Sequence, residues 1–135
     1  MKLPFELSPA ETKDTVNLAV PPVERMAKVI RMATIAVASR TGLTIDQVDD
    51  VSTAVDELFH RFQSRRNDSE FCVRFEIQAD RLVVLAEGCA GLVENSGKMG
   101  RYHHFLLESL SDSLEEVPNP EGGADVVLVK MVVNP

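Results

Sequence analysis

Residues 44–62, TIDQVDDVSTAVDELFHRF, decide the fold, because their apolar side chains fall on one side of a helix. The spacing of these side chains is three or four residues throughout, which is typical of a single buried helix face. The apolar positions are Val48, Val51, Val55, Leu58 and Phe62. Thr44 and Gln47 stand three residues apart at the start of the stretch, as a capping box requires. The stretch therefore predicts a helix with one face in the core.

Polar residues border this apolar face at the same helical spacing. They are Asp50, Thr53, Glu57 and Arg61. A carboxylate at the edge of a core can have a raised pKa and act as a base. Glu57 also stands four residues before Arg61, the favoured order for an exposed helix ion pair worth about 0.3–0.5 kcal/mol. Spacing alone favours the exposed ion pair over a functional carboxylate, because most such pairs are solvated.

Length and charge limit the class of protein. The 135 residues suit one domain, which can bury a core without metals or disulfides. The net charge is −7 and only 5% of the residues are aromatic, which argues against direct binding of nucleic acid. An acidic chain of this kind is better suited to a basic protein partner.

Cysteine usage and the first residues indicate a cytoplasmic protein. Cys72 and Cys89 form neither a CxxC pair nor a disulfide framework. The first ten residues contain two prolines and no apolar run, unlike a signal peptide, and no stretch is long enough to span a membrane. The three histidines and the two cysteines lack the spacing of zinc ligands, so no metal site is predicted.

The rest of the chain alternates between strand and helix patterns. Residues 1–14 are expected to form an extension, and residues 15–135 a single domain. Gly42 is suited to the C-terminal cap of the first helix. The predicted elements around the central helix are a strand at 15–20, a helix at 23–40, a hairpin of strands at 71–78 and 82–86, a loop at 87–101, a helix at 104–114 and a strand at 126–133.

This order of elements predicts an α+β fold. Strands that meet mostly as hairpins, with the helices grouped together, are typical of a two-layer sandwich. We expect a mostly antiparallel sheet covered on one face by three helices. Residues 82–86 are apolar on both sides of the strand, which predicts a central position in that sheet.

The block AVASRTGLTIDQVDDVSTAVDE at residues 36–57 resembles the N-terminal half of RsbW/SpoIIAB-type anti-sigma factors, members of the GHKL superfamily of ATPases and kinases. The resemblance starts at the strand before Pro21 and continues more weakly through 82–88 and the LLESLSDSLEEV segment to the last strand. It covers nearly the whole chain. Some divergent actinobacterial members also have arginine at the position of Arg61.

The resemblance implies a function in the control of transcription. Proteins of this family are cytoplasmic homodimers that hold a sigma factor away from RNA polymerase. An anti-anti-sigma protein releases the sigma factor by binding to the same kinase, which can phosphorylate that protein on serine.

The resemblance also implies a nucleotide site with several substitutions. Glu57 matches the glutamate of an E-x-x-x-N motif, the proposed base, but Arg61 replaces the asparagine that helps to hold magnesium. In the D-x-G-x-G motif, Ala86 replaces the aspartate that binds adenine, whereas Gly88 is the retained first glycine. The lid glycines of the family are reduced to Gly97 and Gly100.

These substitutions favour binding over catalysis. Arginine has only donors and cannot ligate magnesium, and alanine cannot accept a hydrogen bond from adenine. We therefore expect an anti-sigma factor that needs no cofactor. The alternative is an active serine-protein kinase that uses ATP and magnesium at a rearranged site. A third hypothesis is a dimeric scaffold or sensor in which loop 87–101 and Cys89 respond to redox state.

Overall fold

The computed structural model describes residues 12–64, 69–88, 98–118 and 124–133. Its elements, in chain order, are β1 (Thr12–Val20), a 3₁₀ turn (Glu24–Met26), α1 (Ala27–Ala38), α2 (Ile45–Ser64), β2 (Phe71–Gln78), β3 (Arg81–Ala86), α3 (Lys98–Ser109), β4 (Ser113–Pro118) and β5 (Ala124–Met131). None of the helices within these ranges is both long and apolar enough to cross a membrane.

The five strands form one sheet in the order β1-β2-β3-β5-β4, and every neighbouring pair is antiparallel. Strand β3 lies in the middle, and its residues 82–86 are all buried. The predicted α+β class and the central position of this strand are therefore confirmed.

Helix α2 packs against the sheet through the apolar face that its spacing predicts. All five predicted positions are buried. Phe59 and Phe62 both meet the ring of Phe71 on β2 edge-on, with ring centroids 5.3 and 5.4 Å apart respectively. Edge-to-face pairs of this kind add to the stabilisation that burial alone provides.

The opposite face of the sheet carries a second, smaller apolar cluster. Val83 and Leu85 of β3 lie there with Val127 and Val129 of β5. The residues on this face alternate with those that contact the helices, as the pleat of a strand requires. This alternation explains why residues 82–86 lack polar positions.

The start of α2 is a complete capping box. The Gln47 amide N–H donates to Thr44 Oγ1 at 3.2 Å, and the Thr44 amide N–H donates to Gln47 Oε1 at 2.9 Å. The Gln47 side chain also donates to the carbonyl of Met131 at 2.9 Å. The capping residues predicted from sequence are confirmed, and they fix the start of α2 to the end of β5.

The first helix differs from its prediction at both ends. The predicted helix at 23–40 begins as the 3₁₀ turn and ends at Ala38, with Ser39 at the C-cap position. Gly42 lies beyond this cap, and its φ angle is outside the left-handed region. A Cβ at Gly42 would lie 3.0 Å from Val132 Cγ1, so the glycine permits close packing rather than capping α1.

The second half of the chain needs two further corrections. The predicted loop at 87–101 is interrupted by α3, which begins at Lys98, and the predicted helix at 104–114 ends early, at Ser109. Residues 113–118 form strand β4 instead. Leucine and glutamate favour helix locally, but pairing with β5 outweighs that preference at the edge of the sheet.

The first strand also starts earlier than expected. Strand β1 begins at Thr12, inside the segment assigned to the extension, and residues 1–11 lie outside the described part of the chain. The closing strand β5 is shifted by two residues toward the N-terminus relative to the predicted 126–133.

Candidate functional site

Glu57 and Arg61 form an ion pair on the second half of α2, as their spacing predicts. Arg61 Nε donates to Glu57 Oε1 at 3.4 Å. The Glu57 side chain is only 19% exposed and the Arg61 side chain only 11%, so the expectation of a solvent-exposed pair is wrong. Spacing along a helix sets the distance between two side chains, but the burial of the pair depends on the elements that pack around it.

The part of the Arg61 guanidinium that does not contact Glu57 is also buried. Its two terminal nitrogens are inaccessible to solvent and have no hydrogen-bond acceptor among the described residues. A buried charge is tolerated when an opposite charge lies close to it, and Glu57 provides that charge. Glu57 has a further interaction of its own. The carboxylate at the base position is therefore engaged by the protein itself.

This set of side chains does not fit magnesium. Magnesium is bound by oxygen ligands, whereas a guanidinium is positively charged and carries only N–H donors. Within the described residues, no group of three or more histidine, cysteine, aspartate or glutamate side chains is arranged to hold a metal ion.

The end of β3 and the following turn lie beside α2. A Cβ built on Gly88 would lie 3.9 Å from the ring of Phe62, the residue that follows Arg61. Gly88 has a φ of 67°, in the left-handed region that favours glycine. The structure thus places the Gly88 turn beside Phe62, at the end of α2 that carries Glu57 and Arg61.

Ala86 lies at the last position of β3, opposite Val126, and it is fully buried. Its methyl group offers no hydrogen-bond acceptor to a ligand. Of the two lid glycines, Gly100 lies in the first turn of α3 rather than in a loop, and Gly97 is outside the described residues.

The sequence interpretation missed Asp125, which supports the Gly88 turn. Asp125 is buried, and its Oδ1 accepts a hydrogen bond from the Gly88 amide N–H at 2.9 Å. The contact joins the start of β5 to the end of β3, 37 residues apart. A carboxylate directly before the apolar run at residues 126–129 is the signal that could have drawn attention to it.

Cys72 lies on β2, where its backbone carbonyl accepts a hydrogen bond at 3.0 Å from the amide N–H of Glu87, the residue before Gly88. Burial, followed by the negative charges of Glu87 and Glu70, raises the pKa of the Cys72 thiol. The group therefore stays protonated at neutral pH, which disfavours reactivity. Cys89, on which the redox hypothesis depends, is outside the described residues.

Comparisons with known proteins agree with the resemblance. No family model matches the chain. Proteins named serine-protein kinase RsbW are 25% identical over 130 residues in Bacillus pumilus and 32% identical over 77 residues in Bacillus subtilis. These matches cover 92% and 53% of this chain, and 77% and 48% of the respective relatives. The match to the protein of the same name from Bacillus licheniformis is 23% identical and covers 90% of this chain and 75% of that protein.

A solved structure shares the fold. The crystal structure of the RsbU and RsbW domains of Rv1364c from Mycobacterium tuberculosis aligns with a TM-score of 0.63 at 12% identity. The alignment covers 88% of this chain but only 33% of that longer one. The sequence similarity along nearly the whole chain supports a divergent RsbW-like protein, and the structural match shows that it shares the fold.

Proposed function

We propose that this chain is an anti-sigma factor that sequesters an RNA polymerase sigma factor and is released by partner switching with an anti-anti-sigma protein. The similarity to RsbW over 92% of the chain supports the family of functions. The observation that favours sequestration over catalysis is the partly buried ion pair between Glu57 and Arg61. Because a guanidinium already engages the carboxylate at the base position, the chain is better suited to binding than to phosphoryl transfer.

The proposal includes a nucleotide site that has lost its function. Phosphoryl transfer depends on a metal ion that bridges the phosphates and on accurate positioning of the reacting groups. Arg61 cannot act as a metal ligand, and Ala86 cannot accept a hydrogen bond from adenine. Sigma-factor binding in this chain then needs neither ATP nor magnesium.

We further propose that the protein is a cytoplasmic homodimer acting in stress-response transcription, without direct contact to nucleic acid or membrane. The net charge of −7 supports this choice of partners, since it repels the nucleic-acid backbone and attracts basic protein surfaces. The partner-binding surface is the acidic side of the molecule that carries the helices. Association with the sigma factor should then slow as salt rises.

Affinity capture from the organism's own cytosol tests the proposal. The tagged chain is expected to recover a sigma factor, identified by mass spectrometry, that an unrelated acidic protein of the same size does not recover. The purified pair should form a complex in the presence of EDTA and without nucleotide. If capture recovers no sigma factor, or if the complex forms only with magnesium-ATP, the proposal is wrong.

An active serine-protein kinase is the second candidate. Two observations favour it: Glu57 is retained at the base position, and Gly88 keeps a left-handed turn beside the end of α2. The curated relatives are also named as serine-protein kinases. This candidate requires magnesium-ATP to bind, which distinguishes it from the first.

A further inference from the structure

A groove between the end of α1 and the start of α2 is unexplained by the candidate nucleotide site. It has a volume of about 400 Å³. The residues that line it are Ile35, Ser39, Leu43, Ile45, Val48 and Asp49. It lies at the opposite end of α2 from Arg61, and the separation of 16 positions between Ile45 and Arg61 corresponds to about 24 Å of helix. The groove and the candidate nucleotide site are therefore separate surfaces.

Ile45 is the most exposed large apolar side chain of the described residues, at 83%. It is the first residue of α2 and follows the capping residue Thr44 directly. The capping box and the bond from Gln47 to the Met131 carbonyl hold this end of the helix in place. A large apolar side chain displayed on a fixed backbone beside a groove is typical of a protein-binding surface.

The rim of the groove is acidic. Asp46 and Asp49 are both exposed, and neither forms an ion pair with any residue in the described ranges. Arg40, at the end of α1, is already paired with Asp14 at 3.4 Å. The helix dipole explains why carboxylates are tolerated in the first turns of α2, but it leaves their charge available to a partner.

We propose that this groove binds a basic amphipathic helix of the sigma factor. An aliphatic side chain of that helix packs against Leu43 and Ile45, and lysine or arginine side chains on its flanks lie opposite Asp46 and Asp49. The inference rests on the proposed function, since it assigns the partner of that function to one surface. Charge favours this occupant over a second copy of the chain at this groove, because in a symmetric contact the exposed Asp46 and Asp49 of the two rims would face each other and repel.

A synthetic peptide tests the groove without the natural partner. The probe is a helical peptide of about 18 residues, long enough to be helical, with leucine on one face and lysine on the other. Titrated into the ¹⁵N-labelled full chain, it should shift the amide signals of residues 43–49. Replacing the exposed isoleucine, Ile45→Ser, should weaken binding about ten-fold or more, because the contact buries an aliphatic side chain. Asp46→Asn combined with Asp49→Asn should weaken binding and reduce its salt dependence.

A matched control comes from α3, where Phe105 is also strongly exposed. Phe105→Ser should leave peptide affinity unchanged. The proposal would be overturned if Ile45→Ser bound the peptide as tightly as the wild-type chain does. It would also be overturned if a peptide with serine in place of leucine bound the wild-type chain as tightly as the probe. Sedimentation of a wild-type dimer that Ile45→Ser dissociates would also overturn it, by showing a second copy in the groove.

The natural partner separates failure of the groove from failure of the proposed function. If the wild-type chain and Ile45→Ser bind the captured sigma factor equally tightly, the groove is not its docking site, although sequestration stands. If the wild-type chain binds no sigma factor, both the proposed function and this assignment of the groove are wrong. A loss of sigma-factor affinity in Ile45→Ser but not in Phe105→Ser supports both.

Discussion

Helix α2 carries two ion pairs on the same polar edge, and they differ in what they connect. Asp50 pairs with Lys130 of β5 at 3.0 Å, and Lys130 also donates to the carbonyl of Leu110, just beyond α3, at 3.0 Å. Glu57 and Arg61 pair within one turn of the same helix at 3.4 Å. The first pair joins parts of the chain 80 residues apart, whereas the second joins no two elements. The comparison indicates that the first pair stabilises the fold and the second modifies the candidate site.

The largest effect on stability is expected from Lys130→Met. This change keeps the apolar stem but removes two hydrogen bonds made by a buried ammonium group, which typically contribute about 1.5–3 kcal/mol. We expect the free energy of unfolding, measured by urea denaturation, to fall by about 2–3 kcal/mol. Lys28→Met, at an exposed position of α1, is the control and should change it by less than about 0.5 kcal/mol. If Lys130→Met and Lys28→Met lowered the free energy of unfolding by similar amounts, the Asp50–Lys130 pair would not stabilise the fold as the comparison indicates.

The substitutions at Arg61 and Ala86 are expected to lower the affinity for magnesium-ATP by a free energy of similar size. The wild-type chain should give no saturable isotherm with magnesium-ATP in calorimetry. Each missing contact to a charged group lowers affinity by about one to two powers of ten, corresponding to about 1.5–3 kcal/mol. Restoring the family residues with Arg61→Asn and Ala86→Asp should therefore raise the affinity toward the micromolar range. A clean one-to-one micromolar isotherm for the wild-type chain, abolished by Glu57→Ala, would establish the kinase candidate instead.

A smaller loss is expected from Gly88→Ala, in the turn beside the same end of α2. An L-residue with a φ of 67° pays a steric cost of about 1–2 kcal/mol. Space is not limiting, because the new Cβ would lie 3.9 Å from the Phe62 ring. Gly88→Asn is the matched control and should lose less stability, since asparagine tolerates this conformation better. Equal thermal unfolding of all three proteins would show that the turn is not held in this conformation.

The smallest effect on stability is expected from Arg61→Met. The contact it removes is long, and the same change removes two buried nitrogens that lack an acceptor among the described residues. Because Glu57 has a further interaction that the change does not remove, we expect a loss of about 1 kcal/mol in urea denaturation, the typical net contribution of one hydrogen bond. The exposed pair of Arg40 and Asp14 has the same 3.4 Å distance, so Arg40→Met is a matched control and should cost about 0–0.5 kcal/mol. A loss of several kcal/mol for Arg61→Met would show that Arg61 compensates a deeply buried Glu57 charge.

The candidate site was only partly predictable from sequence. The resemblance named Glu57, Arg61, Ala86 and Gly88 as site positions, and the structure places the Gly88 turn beside Phe62 at the end of α2. Asp125 was not predictable, because it meets Gly88 only through the pairing of β3 with β5. The burial of the Glu57–Arg61 pair was also missed, since spacing along one helix contains no information about what packs over it.

The sequence by itself determined α2, its capping box and the bounds of β2, because these depend on patterns within a few residues of the chain. Only the tertiary structure decided that residues 113–118 pair as strand β4, although their composition favours helix. It also decided that Gly42 serves close packing against Val132, and that Lys130 joins α2 to the end of α3. Such features arise from residues far apart in sequence, where packing and strand pairing outweigh local propensity.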